Sequence, residues 1–339
     1  MHGVAAQGFT VKGRAAFRLP ARIGAAAALL LTASCATAPQ RSPVEWMGVL
    51  PGDATMYISV SVPQSAELIR KTLKEGGPAF NDVITLSDMT KRLLVSVTMA
   101  KGAPMRFAAV ALGGYPSLLI GMSLSGKKEW KQVSLPEGSF YLWNKANLQL
   151  SVPSRSILLA ANGDMPTLLS RYKIPVPLPI PPEVASDMAK TDIVLYMPQL
   201  PGGVGEANVD QPAAAESDER PHLPIREVWV DAMKTKDGYL LGATMNTGTE
   251  KQARVLSLMV RIGIVAWMKA NNVPKAGERL RAISVAPEGT SVMVKGIAVR
   301  DGEIMPLILT LLNGAPADAG NASQAPAAGQ DAPAADQGN

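Results

Sequence analysis

Few residues in this chain are equipped for covalent or acid–base chemistry, and their spacing excludes most of it. Of 339 residues, one is cysteine and two are histidine. His2 lies in a leading segment, so a Ser-His-Asp relay would depend on His222, lodged between Pro221 and Pro224 beside an acidic stretch. Zinc needs His or Cys pairs at ligand spacing, and the sequence has none. Glu206, Asp210, Glu216, Asp218 and Glu219 lack the Asp-x-Asp-x-Asp-Gly rhythm of a calcium loop. Gly202-Gly203-Val204-Gly205 lacks the flanking strand and helix of a phosphate loop. The expectation is a protein that is not an enzyme and holds no metal or cofactor. The enzymatic alternative needs carboxylates that only the fold could bring together. What remains is the thiol of Cys35.

The surroundings of that thiol are patterned. Lys12, Arg14, Arg18 and Arg22 come first, with no acid among them, then an apolar run over 23–31, then the small residues Thr32-Ala33-Ser34. The basic start stays on the cytoplasmic side while the apolar run enters a bilayer. About a dozen apolar residues are too few for a permanent span, which takes roughly 20. The segment resembles the lipobox of bacterial lipoproteins, with Thr32 where such boxes usually carry leucine. That resemblance implies that residues 1–34 are a signal peptide, that the Cys35 thiol carries diacylglycerol with palmitate-like chains, and that the new amino group is acylated. Ala36 rather than Asp after the cysteine implies sorting to the outer membrane. Cleavage by an ordinary signal peptidase and an uncleaved anchor are the alternatives. Two or three acyl chains, at about 0.8 kcal/mol per buried methylene, would anchor the chain stably.

Removing the leader changes the charge. The chain has 33 Lys and Arg against 28 Asp and Glu, and the four basic residues of the leader are among the 33, so the mature chain has 29 against 28, or +1. Such a surface excludes nucleic acid, which needs clustered cations to displace counterions from phosphates. A single cysteine allows no internal disulfide, so stability rests on an apolar core.

The elements around Cys35 divide as follows. Residues 35–50 read as a lipid-anchored tether interrupted by Pro39 and Pro43. Residues 201–221 read as a mobile acidic loop and residues 314–339 as a disordered Ala/Gly/Pro/Asp/Gln tail. Residues 174–182, with proline at alternate positions, read as a stiff connector. On either side of it, residues 51–173 and 183–313 carry similar segments in the same order. Asp53-Ala54-Thr55-Met56-Tyr57 parallels Asp192-Ile193-Val194-Leu195-Tyr196. Residues 95–101 parallel 228–234, each followed by an alternating strand, and residues 133–139 parallel 283–290 with one extra residue. Alternating strands joined by turns such as Pro136-Glu137-Gly138 favour antiparallel pairing. The predicted fold is α+β: two internally repeated halves, each a mainly antiparallel sheet with helices packed on one face. Helices are predicted over 64–74, 80–93, 117–124, 165–172, 249–271 and 303–312.

Of these, the helix over 249–271 is apolar on most of its circumference. Val255, Leu258, Met259, Ile262, Val265 and Ala266 have core spacing, Leu256, Val260 and Trp267 point elsewhere, and Arg254 and Arg261 mark a narrow polar edge. One reading buries it between a sheet and another helix; the other places the second stripe against a membrane surface or a bound acyl chain. It cannot span a bilayer alone, because Arg261 sits midway. Phe80, Val83, Ile84 and Leu93 share one side of the helix over 80–93, opposite Asp82, Asp88 and Lys91. Leu118, Leu119 and Met122 crowd a short segment after Tyr115-Pro116. The sixteen methionines suit irregular apolar ligands as well as cores. The candidate membrane- or apolar-ligand-contact residues are therefore Leu256, Val260, Trp267, Phe80, Val83, Ile84, Leu118, Leu119 and Met122.

The duplicated layout over residues 50–313, the amphipathic helices and the Ala/Pro tail behind a lipobox resemble treponemal outer-membrane lipoproteins. The resemblance implies a lipid-anchored protein on the periplasmic leaflet of the outer membrane, which inserts amphipathic helices, binds lipid or an apolar ligand, and alters bilayer permeability, more so in acid. Carboxylates that lose charge as pH falls would ease burial of adjacent helices, but the sequence names no pH-tuned residue. The alternative is a periplasmic scaffold or assembly partner, its amphipathic surfaces meeting envelope proteins or further copies of itself.

Overall fold

A computed structural model of the chain describes residues 41–75, 81–100, 102–144, 147–198, 225–270, 273, 275–301 and 303–304. The leader over 1–34, Cys35, Phe80, the side chain of Val83, the loop over 201–221 with His222, most of the helix predicted over 303–312 and the tail over 314–339 lie outside the described residues.

The first part of the chain forms α1 (Pro43–Met47), β1 (Met56–Ser61), α2 (Val62–Glu75), α3 (Asn81–Asp88), β2 (Thr90–Thr98), β3 (Arg106–Gly113), α4 (Ser117–Ser125), β4 (Trp130–Leu135), β5 (Gly138–Trp143), β6 (Leu148–Ser154), β7 (Ile157–Ala161) and α5 (Met165–Lys173). The second part forms α6 (Pro182–Lys190), β8 (Ile193–Met197), β9 (Ile225–Thr235), β10 (Gly238–Thr247), α7 (Glu250–Ala270), α8 (Ala276–Ala282), β11 (Ser284–Glu288) and β12 (Ser291–Val299). The predicted helix over 80–93 ends early: its last residues belong to β2, where alternation outweighs helical periodicity.

Two separate sheets were the expectation; the strands form one. Its twelve strands run in the order β11-β12-β10-β9-β8-β1-β2-β3-β7-β6-β5-β4, and the pairings are antiparallel. The two parts join through β1 and β8, where Tyr57 lies opposite Tyr196. Antiparallel pairing at that register sets the two Asp-x-x-x-Tyr segments head to tail. Ser96 then lies opposite Tyr57 and Trp229 opposite Tyr196, which keeps Val95 and Val228 in corresponding places. The third correspondence fails. The β4–β5 hairpin forms the far edge, whereas β12 pairs directly with β10, in the place that β7 takes beside β3. Three matches in sequence order are therefore not three matches in space.

Helices occupy both faces of the sheet rather than one. On the first face, α1, α5 and α6 bury Trp46, Met47, Met165, Leu168, Leu169, Val184 and Met188 against Tyr57, Leu94, Val110, Leu159 and Tyr196. On the second face, α2 meets Val60 and Ile193 through Leu68, α4 meets Ala111 and Leu158 through Ile120 and Leu124, and α7 meets Leu195, Val228 and Val294 through Ala253 and Leu256. Burial of whole aliphatic side chains contributes about 1.5–3 kcal/mol each, so these layers are the main source of stability.

The predicted tether is also shorter than residues 35–50. Ser42 caps α1 by accepting from the Glu45 backbone N–H while Glu45 accepts from that of Ser42. Trp46, Met47, Val49 and Leu50 are all buried. Four large apolar side chains within five residues are worth more inside the core than in a solvated leash. The connector over 174–182 has no regular secondary structure up to Pro181, and Pro182 already opens α6. Its Leu178 and Ile180 pack on the first-face core.

Candidate membrane-contact site

The helix predicted over 249–271 is observed as α7. Its start is capped by Thr249, whose hydroxyl accepts from the Gln252 backbone N–H at 3.2 Å. Glu250 in the first turn and Lys269 in the last suit the helix dipole. Ala253, Leu256, Ser257 and Met268 are buried and Val260 and Ile264 half-buried, which defines the inward stripe. Leu256 is only 3% exposed. The stripe first taken as core faces away from the sheet: Val255, Met259 and Val265 are exposed, as are Leu258 at 60% and Ile262 at 69%.

Leu256 and Val260 are therefore corrected from lipid contact to core, while Trp267 stays at the surface, 46% exposed. The sheet side of α7 is the stripe of Ala253, Leu256, Val260 and Ile264, which pack on the core beneath β10, β11 and β12, and small Ala253 and Ser257 let the helix approach closely. Large apolar residues therefore lie on both sides of the helix. Arg261 leaves that stripe's edge and donates to the Val285 carbonyl, which ties α7 to β11. Arg254 pairs with Glu250 at 3.8 Å on the exposed flank, where Lys251 also lies.

The second exposed apolar surface is α4, which follows Tyr115-Pro116 and has only serines for polarity. Ile120 and Leu124 turn inward, and Leu118 at 76% exposed, Leu119 and Met122 turn out. Ile84, on α3, is half-buried. Both α4 and α7 pack on the second face of the sheet. Eight strand positions separate β6, against α4, from β12, against α7. At about 4.8 Å between neighbouring strands, these two apolar surfaces lie well apart along the sheet. No helix among the described residues is long and apolar enough to cross a membrane, and those residues contain no cluster of ligands that could hold a metal ion.

The first face offers a different environment. Beyond α6 it is uncovered by α1 or α5, and Trp229, Met233, Leu240 and Met293 line a groove of about 740 Å³ together with acids. Glu227 accepts from the Tyr196 hydroxyl at 2.9 Å and from the Asn246 amide at 2.7 Å. Asp231 lies over Gly242, where a methyl group would meet a carboxylate oxygen at 2.5 Å. Burial pushes the Asp231 carboxyl above the usual carboxylate range, and Asp187 nearby adds to the shift. Burial also raises Asp187, against the partial compensation of Lys190. These two acids with raised carboxyls went unnamed in the sequence, although Asp231 alternates with Trp229 and Met233 on the groove side of β9. An acid at an apolar period-2 position is the signal that could have found it.

Comparison with known proteins agrees with this architecture. Residues 41–200 match the family described as outer membrane-associated lipoprotein TP0453. Structures of treponemal TP0453 in crystal forms III, IV and I share the fold, at TM-scores of 0.54, 0.56 and 0.56. Their identities to this chain are 16%, 15% and 16%, and the alignments cover 77%, 77% and 78% of it and 96%, 95% and 96% of those chains. No curated protein matches this chain. The resemblance to treponemal outer-membrane lipoproteins therefore holds at the level of fold and over the first part of the sequence.

Proposed function

We propose that this chain is a non-enzymatic lipoprotein of the outer membrane, held at the periplasmic leaflet by acylated Cys35, and that it contacts lipid through the outward stripe of α7 and, secondarily, through α4. The observation that carries the reading is the stripe itself. Val255, Leu258, Met259, Ile262 and Val265 project from a helix already secured to the sheet by its other side. A contiguous apolar surface of this kind marks an interaction site. Lys251, Arg254 and Lys269 on the same helix suit anionic headgroups, and Trp267 suits the interface between headgroup and acyl chain. The exposed α4 residues would add a second foothold, and changes of permeability would follow from the depth to which either helix enters.

The test is flotation with vesicles of phosphatidylethanolamine and phosphatidylglycerol, using the chain without residues 1–35 so that acylation does not contribute. A Leu258→Glu/Ile262→Glu variant, folded by circular dichroism, should lose at least about tenfold in partitioning, since about 1.4 kcal/mol per decade is less than two such side chains contribute. Unchanged partitioning sinks the α7 reading. Parent protein that ignores vesicles but pulls down a stoichiometric envelope protein selects the scaffold alternative.

A further inference from the structure

The sheet has two edges, and they are finished differently. At one end β11 is closed to further pairing. Glu288 and Ser291 flank a two-residue turn and so form a mutually hydrogen-bonded pair, and alternation then turns the backbone groups of Val285 and Pro287 outward. The Val285 carbonyl is taken by Arg261, and Pro287 has no N–H to offer. At the other end β4 is open. Leu135 and Gly138 flank the two-residue turn Pro136-Glu137, and by the same alternation Gln132 and Ser134 point their N–H and C=O groups away from β5. Among the described residues these four groups have no hydrogen-bond partner. The open row is bounded by Trp130, whose N–H donates to the Lys127 carbonyl at 3.2 Å, and by Pro136, which has no N–H. Free donors and acceptors at this spacing are completed by an antiparallel strand.

We infer that this strand is β4 of a second copy, paired about a two-fold axis at Val133. That register sets Gln132 opposite Ser134 of the second copy, so the four free groups of each copy are satisfied by the four of the other. On the first face Val133 meets its own counterpart, and Lys131 meets Leu135 of the second copy. The two Lys131 side chains are then about 14 Å apart along the strands, whereas an axis at Gln132 would set the like charges on a close diagonal. Self-complementarity of this kind is what a two-fold contact requires. The axis stands perpendicular to the sheet, so the second faces of both copies turn to the same side. Because α4 packs on β4 and β6 there, the outward residues Leu118, Leu119 and Met122 of both copies flank the axis on one side of the doubled sheet. The pairing rests on the edge alone and holds whether or not α4 meets lipid.

The test uses the full chain carrying Cys35→Ser, so that an introduced thiol is the only one. Across the axis Val133 and its counterpart form a non-hydrogen-bonded pair, whose Cα atoms lie about 4.5 Å apart, within disulfide reach. Val133→Cys should therefore give an intermolecular disulfide under mild oxidation in vesicle-free solution. Lys131→Cys, about 14 Å from its counterpart, should give at least about tenfold less. Adding Gln132→Pro to Val133→Cys removes an outward donor without touching the β5 ladder, and should lower the disulfide yield about tenfold at an unchanged unfolding midpoint. Ser134→Pro does the same and serves if the first proline misfolds the chain. Equal cross-linking of Val133→Cys and Lys131→Cys marks random collision and overturns the pairing, as does a yield that neither proline lowers. A Val133→Cys chain that stays monomeric, or that is captured only by a different protein along β4, overturns it too. Each of those results leaves lipid contact by α7 and α4 standing, whereas loss of vesicle partitioning with the disulfide intact removes lipid contact and leaves the pairing.

Discussion

The two parts of the sheet are joined by one continuous ladder, yet they bury their surfaces differently. Around β2, β3 and β7 both faces are covered: α1, α5 and α6 on one side, α2 and α4 on the other, with Leu94, Val110 and Leu159 fully enclosed. Around β9, β10 and β12 the second face is covered by α7, by Leu68 of α2 and by α8, while the first face opens into the groove lined by Trp229, Met233, Leu240 and Met293. The better-buried part supplies the stability, and the other keeps apolar surface free because β8 pairs with β1 and extends the same sheet. Structural security in one region is what permits exposed hydrophobic surface in the other.

The sharpest way to break this comparison is to truncate one leucine in each region. Leu159→Ala should cost about 2–5 kcal/mol, because a cavity opens at a fully enclosed site. Leu258→Ala on the outward stripe of α7 should stay within about 0.5 kcal/mol of the parent. Urea unfolding measures both. Equal losses would mean that the stripe is covered in solution and that the two regions are not different in kind.

Membrane binding separates the two exposed helices less strongly. Leu118→Glu/Met122→Glu on α4 should weaken vesicle partitioning by a smaller factor, about threefold, than the paired α7 substitutions, because α4 presents a shorter stripe and carries no cation within the helix. Comparable losses from the two variants would indicate simultaneous engagement and a bilayer deformed to reach both.

Much of this was legible beforehand, and the failures share a cause. Strand alternation placed β3, β10 and the β4–β5 hairpin, and α2, α4, α5 and α7 fall close to their predicted ranges. What periodicity could not supply was direction. In α7 the more apolar stripe was assigned to the core because burial usually follows hydrophobicity, whereas the stripe of Ala253, Leu256, Ser257 and Val260 is the one that lies against the sheet. Residues 43–50 were read as a leash because Pro39 and Pro43 dominate the local pattern, yet Pro43 simply occupies the first turn of α1, where its missing N–H costs nothing. The joining of both parts into one sheet depends on the β1–β8 pairing, a contact between residues distant in sequence that no local pattern encodes.

The open groove holds two carboxyls, Asp231 and Asp187, that burial pushes above their ordinary range. Asp231 has its carboxyl raised above its ordinary value by burial, with Asp187 raising it further and Lys295 opposing. A raised carboxyl contributes stability below its unfolded value and loses it as pH climbs through the folded one. Asp231→Asn should therefore be more stable than the parent at neutral pH, with the gap closing toward pH 4, a trend that unfolding midpoints across that range would reveal. A gap that widens on acidification would show that Lys295 outweighs burial and reverse the sign.

The smallest effect distinguishes the two exposed helices at their glycines. On α4, a methyl group at Gly121 would meet the Tyr141 hydroxyl at 3.0 Å, so Gly121→Ala requires that hydroxyl to give way by a few tenths of an ångström. On α7, Gly263 has no atom within 4 Å of where its methyl would lie, so packing gives no reason for glycine. Alanine there removes backbone freedom from the unfolded chain and should stabilise the protein by about 0.5–1 kcal/mol. If that gain appears and vesicle partitioning is unchanged, Gly263 is incidental to lipid contact. If the gain appears and partitioning falls, α7 has to bend at Gly263 to lay its stripe on the bilayer, and exposure alone does not make the helix competent to bind.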